Sequence, residues 1–310
     1  MLVWHVHGSY ATALLQGPHT YYLPVEPNRG PAGRGRARTW DWPPAAVEID
    51  AATSRRTPYD VVVFQRAEEL GAWHDEWLGD RVAGRDYAAV YLEHDAPWSE
   101  VPLTRHAVAD RDDLTLVHVT HFNALFYDAG STRTRVIEHG VADPGERYTG
   151  ELPHAAVAIN EARRRGRYSG TDLLVRFAEV APVDLFGMDA ASLGGYEDLP
   201  QERLHAEMAR RRAYVHPFRW TSLGLALIEA MMLGMPVVAL ATTEVPEAVP
   251  SGCGFVSTNV DRLAEGFATL VRDAELARAM GARARTAALA RYGLGRFLHD
   301  WNDVFEEVTR

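Results

Sequence analysis

Short apolar runs recur along this chain, each followed by a loop and usually by a helical pattern. The N-terminal runs are LVWHVHG (2–8), TYYLPV (20–25), DVVVFQR (60–66), AAVYLEHD (88–95), LTLVHVTHF (114–122) and TRVIEHG (134–140). The C-terminal runs are AAVAIN (155–160), VDLFGM (183–188), AYVHPF (213–218), PVVAL (236–240) and GFVS (254–257). Continuous apolar strands that alternate with helices are typical of parallel sheets covered on both faces. The pattern therefore predicts an α/β fold.

The polar stretch ADPGERYTGELP (142–153) separates the two sets of runs. It predicts two Rossmann-like, doubly wound domains, 1–145 and 146–293, and 310 residues are enough for both. An amphipathic pattern at about 294–310 predicts a C-terminal helix that packs back on the first domain. Ligands of open parallel sheets bind at the carboxyl ends of the strands. We therefore expect the site in a cleft that the two domains face.

The charge and cysteine content narrow the class of protein. A net charge of −10 argues against nucleic acid as the general partner. The single cysteine, Cys253, cannot form an internal disulfide, which favours a reducing, cytoplasmic location. The chain has no lysine, so all 32 basic residues are arginine, as expected for a GC-rich bacterial genome. Any phosphate site must then use arginine, histidine and backbone N–H groups.

The stretch TSLGLALIEAMMLGMPVVAL (221–240) is an apolar run in which Glu229 is the one carboxylate. Because Glu229, Gly224, Gly234 and Pro236 interrupt it, we interpret it as a buried helix and strand and not as a transmembrane segment. Peripheral contact with a membrane and the oligomeric state are left open.

The helix should cover roughly 223 to 233, with Thr221 or Ser222 as its cap. Gly224 would let an anion approach the N–H groups of the first turn. An ionised Glu229 in apolar surroundings needs hydrogen-bond donors. A ribose offers two adjacent hydroxyls, whereas the structural alternatives are backbone N–H groups or an arginine.

The segment EPNRGPAGRGRARTWDWPP (26–44) interrupts the strand–helix rhythm. It is long for a loop in a compact domain and rich in glycine, proline and arginine. Two interpretations are a disordered surface excursion and a mobile lid that orders over an acceptor or an anionic ligand.

The residues 222–239, SLGLALIEAMMLGMPVVA, resemble the signature of retaining GT-B glycosyltransferases of family 4, the glycosyl transferases group 1, which have two Rossmann domains. EVPEAVPSGCGFV (244–256) and DRLAEGFATLVRDAELARAMGARAR (261–285) continue the resemblance, which covers most of 134–300. In this family two glutamates are separated by seven residues. The second falls on Glu229 and implies ribose binding, but Thr221 stands where the first should be.

The resemblance also implies roles for other residues. It implies catalytic roles for His94 and for Thr221, which cannot carry a charge or act as a base at neutral pH. It implies donor-sugar contacts by Ser222 and Leu223. It implies that the donor diphosphate is bound by Gly8, Ser9, Arg163, Arg164, Gly224 and Leu225. The alternatives to diphosphate binding are that Gly8-Ser9 forms only a turn and that the arginines lie in a solvated surface loop.

The function implied by the resemblance is sugar transfer from a nucleoside-diphosphate sugar to an unknown small-molecule or glycan acceptor, with retention of configuration. No metal and no separate cofactor are implied, and Asp110-Arg111-Asp112 is interpreted as a solvated turn because it precedes a strand. Two alternatives stay open. One is a nucleotide-sugar epimerase or phosphorylase, and the other is a descendant that binds nucleotide or sugar without transfer, which Thr221 favours.

Overall fold

The computed structural model describes residues 1–38, 40–98 and 100–310. The chain forms two compact units, of which the first comprises Met1–Gly140 with Leu294–Arg310 and the second comprises Val141–Gly293. The units divide between Gly140 and Val141, where we had expected a boundary at 145/146. The Val141 amide pairs with the Tyr292 carbonyl at 2.9 Å, so the two ends of the second unit lie side by side.

The first unit contains a parallel sheet of seven strands in the order β3-β2-β1-β4-β5-β6-β7. Its strands are β1 (Leu2–Val3), β2 (Tyr21–Pro24), β3 (Ala46–Ile49), β4 (Val61–Phe64), β5 (Ala88–Glu93), β6 (Leu114–His118) and β7 (Arg133–Val136). Its helices within 1–140 are α1 (Gly8–Leu14), α2 (Ala51–Ser54), α3 (Ala67–Leu70), α4 (His74–Leu78) and α5 (His121–Phe126).

The second unit contains a parallel sheet of five strands in the order β12-β11-β10-β8-β9. Its strands are β8 (Leu152–Ala158), β9 (Val183–Phe186), β10 (Arg211–His216), β11 (Val237–Leu240) and β12 (Gly254–Ser257). Its helices are α6 (Ala162–Ser169), α7 (Leu174–Ala178), α8 (Gln201–Arg210), α9 (Leu225–Met232), α10 (Val245–Ala248), α11 (Val260–Arg272) and α12 (Ala274–Tyr292).

The central strands are continuous apolar runs because helices cover both of their faces. In β4 and β11 every residue is buried. The α/β fold with two Rossmann-like parallel sheets is therefore confirmed. Among the described strands, the pattern missed β3, an edge strand in which only the two end residues are buried and whose sequence AVEI includes a half-buried glutamate, Glu48.

The last helix, α13 (Leu294–Val308), belongs to the first unit. Its aromatic stripe is buried: Phe297 lies against Gly140, and Trp301 Nε1 donates a hydrogen bond of 3.0 Å to the Tyr10 hydroxyl on α1. The aromatic spacing of the C-terminal pattern thus corresponds to the face that packs on α1.

The segment 26–44 is packed against the first unit, so the interpretation as a disordered excursion is wrong for its described residues. Arg29 and Glu48 form an ion pair of 2.8 Å, and the Arg36 amide donates to the same carboxylate at 2.7 Å. Trp42 Nε1 donates to Thr12 Oγ1 at 2.8 Å. Because arginine and tryptophan side chains supply these contacts, a composition rich in glycine and proline did not prevent order. Thr39 lies outside the described residues.

Candidate functional site

The strand order of the second unit defines where a ligand of this sheet should bind. From β8 the chain passes to β9 on one side, and it then returns to β10 on the other side. The carboxyl ends of β8 and β10 are therefore the topological switch point, the usual ligand position in open α/β sheets. The segments that leave these two strands contact each other. A Cβ on Gly170 would overlap the Pro217 carbonyl, and the Arg219 amide donates to the Tyr168 carbonyl at 3.1 Å.

Helix α9 begins at this switch point, and its cap is not the one that we expected. Gly224 is the N-cap residue, with extended backbone, and no side chain caps the helix. The prediction of Thr221 or Ser222 as the cap is wrong, because the helix starts at Leu225 and both residues precede the cap position. The first N–H groups of a helix have no partner within the helix. The Leu227 N–H donates to the Gly224 carbonyl at 3.0 Å, so without a side-chain cap the N–H groups of Leu225 and Ala226 are available to an anion.

A buried histidine explains the glycine at the cap. A Cβ on Gly224 would lie 2.7 Å from Cε1 of His216, the last residue of β10. His216 is 1% exposed, and neither ring nitrogen has a hydrogen-bond partner among the described residues. Burial lowers the pKa of His216 to about 3, so its ring is neutral at physiological pH. Gly224 therefore accommodates this ring beneath the start of α9.

Glu229 lies in the middle of α9 and is 6% exposed. Its Oε1 accepts a hydrogen bond of 3.2 Å from Gln201 Nε2, and its Oε2 lies 3.4 Å from Nε2 of His205. Both partners are on α8. Among the described residues no arginine pairs with Glu229 and no backbone N–H is capped by it. The carboxylate is thus held by an amide and an imidazole, neither of which is a permanent cation.

The arginines after β8 differ in their partners. Arg164 forms a two-point ion pair with Glu161, whose Oε1 accepts from Nε at 2.8 Å. Arg163 donates to the Ser192 carbonyl at 2.7 Å. The Arg165 amide donates to the Glu161 carbonyl at 2.9 Å, whereas its exposed side chain forms no hydrogen bond or ion pair with the described residues. Glu161 therefore neutralises Arg164, one of the two arginines expected to bind the diphosphate. Because the Arg164 side chain is 66% exposed, this ion pair is weak.

Of the residues just before α9, Thr221 is more accessible to solvent than Ser222 and Leu223. Thr221 is half-buried, and its side chain makes no hydrogen bond to the described residues. Ser222 is 7% exposed, whereas the Leu223 side chain is 4% exposed and packs in the apolar core. Leu225, the first residue of α9, also packs against that core. Any ligand contact of the buried Leu223 would therefore have to come from its backbone, whereas Leu225 is half-buried.

The first unit places its expected site residues at the carboxyl edge of its own sheet. Gly8 and Ser9 open α1, and the Trp40 ring lies where a Cβ of Gly8 would be. His94 directly follows β5 and is 8% exposed. Its ring is 4.4 Å from the His7 ring and 4.7 Å from the Tyr10 ring, between centroids. Burial, reinforced by His7 and His139, holds the pKa of His94 well below its usual range.

Sequence reasoning missed four residues of these sites: Gln65, Gln201, His205 and His216. Gln65 and His216 could have been found, because each is a polar residue at the carboxyl end of a buried strand. Gln201 and His205 carry no such signal, since they reach Glu229 from a separate helix that only the tertiary structure brings near.

The described residues, 1–38, 40–98 and 100–310, include neither a metal-binding cluster of side chains nor a membrane-spanning helix. No group of three or more histidine, cysteine, aspartate or glutamate side chains there could hold a metal ion. None of the helices in those ranges is both long and apolar enough to cross a membrane. Asp110, within the Asp-x-Asp sequence, instead bonds to the Ser131 amide at 2.8 Å and pairs with Arg105.

Residues 195–287, which include α8, α9 and Glu229, match the family model of glycosyl transferases group 1. The match lies entirely within the second unit. The predicted resemblance and the prediction of a glycosyltransferase enzyme are confirmed at the level of this family. Among curated proteins, a sequence search finds no significant match to the chain.

Solved structures share the fold of this glycosyltransferase over almost its full length. Sucrose-phosphate synthase from Thermosynechococcus elongatus has a TM-score of 0.72 at 15% identity, covering 99% of this chain and 98% of that one. HepE from Anabaena in complex with UDP has a TM-score of 0.68 at 15% identity, covering 99% of both chains. A glycosyltransferase from Rickettsia africae has a TM-score of 0.68 at 12% identity, covering 100% and 98%. At such identities the similarity establishes the fold.

Proposed function

We propose that this protein transfers a sugar from a nucleoside-diphosphate sugar to a hydroxyl group of an acceptor, with retention of configuration and without a metal ion. The second unit would bind the nucleotide. The proposal rests on the group 1 domain at 195–287 and on the arrangement of the switch-point residues within it.

The observation that carries the proposal is the state of Glu229. A carboxylate that is 6% exposed must be hydrogen-bonded to stay ionised. Here Gln201 Nε2 donates to it, His205 Nε2 lies 3.4 Å away without a hydrogen bond, and no arginine of the described ranges neutralises it. A carboxylate in this state can accept hydrogen bonds from the two hydroxyls of a ribose. We therefore assign Glu229 to the donor ribose.

The diphosphate would lie over the start of α9. The uncapped N–H groups after Gly224 supply hydrogen-bond donors and the positive end of the helix dipole. Arg163, Arg164 and Arg165 supply positive charge from the adjacent segment, and the Arg165 side chain has no partner among the described residues. Arginine suits this role because its fork matches two phosphate oxygens.

The chemistry would consist of breaking the bond between the anomeric carbon and the diphosphate oxygen. The acceptor oxygen would form its bond on the same face, and its proton would pass to an oxygen of the departing diphosphate. The arginines and helix N–H groups would stabilise the charge that develops on this leaving group, which is usually a dominant catalytic contribution. Thr221 and Ser222 would contact the sugar from the second unit.

Binding of UDP, GDP and ADP by calorimetry tests the nucleotide assignment. UDP comes first, since the HepE structures hold UDP and UDP-glucose. We expect one nucleotide to bind at micromolar concentration and the Glu229→Ala variant to bind it at least 10-fold more weakly, because two charge-assisted hydrogen bonds are lost. The exposed Glu202 on α8 provides the control, Glu202→Ala. Equal affinities of Glu229→Ala and wild type would refute the assignment.

Turnover tests the reaction itself. The sugars of the best nucleotide are offered with a panel of glycoside acceptors, and the anomeric configuration of the product is read by NMR in the presence of EDTA. A product of inverted configuration, or activity that EDTA abolishes, would contradict the proposal.

Thr221 supports a second candidate function, in which the protein binds a nucleotide sugar without transferring the sugar. A threonine without a hydrogen-bond partner among the described residues stands where the family has a glutamate. Tight nucleotide binding with no turnover of any donor would support this candidate. Gain of transfer activity in Thr221→Glu would show that the missing carboxylate is the cause.

A further inference from the structure

Two neighbouring strands of the first unit end on side chains that contact each other. Gln65 directly follows β4, and His94 directly follows β5, which pairs with β4 through Phe64 and Tyr91. Gln65 Oε1 lies 2.8 Å from His94 Nε2, a hydrogen-bond distance. On its other side, Gln65 Nε2 donates to the Trp4 carbonyl at 2.7 Å.

These two bonds determine which nitrogen of His94 carries the proton. The Trp4 carbonyl can only accept a hydrogen bond, so the amide nitrogen of Gln65 must face it. The amide oxygen then faces His94, and since that oxygen also only accepts, His94 Nε2 must be the donor. In a neutral imidazole with a proton on Nε2, Nδ1 carries the lone pair.

Gln65 is itself held in place. Its backbone N–H donates to Oε2 of Glu69 at 2.6 Å, and the other oxygen of Glu69 accepts from Nε of Arg66 at 2.7 Å. Glu69 is fully buried. Both the backbone and the side chain of Gln65 are therefore fixed before any ligand binds.

The second nitrogen of His94 is available to a ligand. Among the described residues no group hydrogen-bonds to Nδ1, and Nδ1 is not one of the fully enclosed atoms that lack a partner. The residue is 8% exposed, and the rings of His7 and Tyr10 border it. A lone pair in this position accepts from an O–H group and repels an acceptor such as a carbonyl or a fluorine.

We propose that Gln65 is a positioning residue that fixes His94 in the Nε2–H tautomer, so that Nδ1 accepts a hydrogen bond from a substrate hydroxyl. The inference about the substrate rests on the proposed function, whereas the inference about the tautomer does not. The site would then select a sugar that carries a hydroxyl, and not a deoxy or deoxyfluoro position, next to His94.

The tautomer is read by long-range nitrogen–proton NMR of the histidine rings, with the His94 signals assigned by their loss in His94→Gln. We expect a protonated Nε2 and an unprotonated Nδ1 in wild type. Gln65→Met has a similar shape but no acceptor, and it should populate both tautomers. Gln65→Glu keeps the acceptor but loses the donor to the Trp4 carbonyl, and we expect a proton on Nε2 in this variant too, because the acceptor is what fixes the tautomer. Gln16→Met, at the exposed end of α1, is the matched control. A wild-type Nδ1–H form, or a Gln65→Met spectrum equal to that of wild type, would overturn the proposal.

The hydroxyl is identified by kcat/KM for a series of monodeoxy donor analogues. One deoxy position should cost wild type about 10-fold, the effect of one hydrogen bond, and should cost Gln65→Met clearly less. If wild type and Gln65→Met lose the same factor in kcat/KM for every deoxy analogue, the inference about the substrate is overturned. If no nucleotide sugar binds at all, the proposed function and this half fail together, while the NMR result still decides the tautomer.

Discussion

Gln201 Nε2 donates a hydrogen bond of 3.2 Å to Glu229 Oε1, joining the first residue of α8 to the middle of α9. The buried carboxylate is thus oriented by a side chain that is 28 positions away in sequence. A carboxylate fixed by one amide keeps further acceptor sites for a ligand. This relationship makes Gln201 a support for the proposed ribose contact.

Replacing Gln201 tests this support. We expect Gln201→Leu to weaken nucleoside-diphosphate binding about 3- to 10-fold, the effect of losing about 1 kcal/mol of support for the carboxylate, while the protein stays folded. Calorimetric titration with the nucleotide that wild type prefers measures the change. Glu202→Ala, on the exposed side of α8, is the control. An unchanged affinity in Gln201→Leu would show that Glu229 does not need this donor.

Gly224→Ala should destabilise the second unit, because the new methyl group would lie 2.7 Å from Cε1 of the buried His216. Overpacking of this kind costs about 1–3 kcal/mol in the free energy of unfolding. Urea denaturation measures it. In contrast, Gly295→Ala in α13 meets no atom within 4 Å, and it should stabilise by up to about 1 kcal/mol through helix propensity.

A double variant tests whether the His216 ring causes the destabilisation by Gly224→Ala. In the double variant with His216→Ala the ring is absent, so adding the methyl group should cost much less than it does in wild type. Additive costs of the two substitutions would mean that the ring and the methyl group do not collide.

The buried histidines predict a loss of stability in mild acid. Burial lowers the pKa of His216 to about 3 and that of His118 to about 4. The unfolded chain binds these protons at about pH 6.5, so the stability is fully present above that pH and is lost as the pH falls towards the folded-state values. At pH 5 each of these two histidines should lower the free energy of unfolding by about 2 kcal/mol.

Unfolding by urea at pH 7.5 and pH 5.0 measures this loss. His216→Phe keeps a ring but cannot be protonated, so its loss between the two pH values should be smaller than that of wild type by about 2 kcal/mol. The control is His299→Phe, since the His299 side chain is 73% exposed. The prediction fails if His216→Phe and wild type lose the same stability.

Glu161→Gln should strengthen diphosphate binding if Arg164 is a ligand. Glu161 holds Arg164 in a two-point ion pair, and removing its charge releases the guanidinium. An exposed pair is worth at most about 1 kcal/mol, so we expect a gain of up to about 5-fold in affinity at low salt. Glu179→Gln breaks the comparable pair with Arg176 and should have no effect. Weaker binding in Glu161→Gln would remove Arg164 from the proposed site.

The sequence by itself determined the α/β class and the positions of most strands. Parallel strands covered on both faces must be apolar along their whole length, whatever their neighbours are, so β4 and β11 are visible as runs. The same reasoning placed Gly224 and Glu229 at the start and in the middle of one helix. It failed for β3, because an edge strand needs only partial burial, and for the cap of α9, because Thr221, Ser222 and Gly224 all have cap-forming character.

Only the tertiary structure decided which groups these residues contact. The partners of Glu229, the ring beneath Gly224 and the tautomer of His94 come from α8, β10 and β4, each from a separate part of the chain. The packing of 26–44 likewise depends on Glu48 of β3 and Thr12 of α1. Local sequence determines whether a segment is buried and periodic. Hydrogen bonds between distant side chains depend on strand order and helix placement, which no local pattern contains.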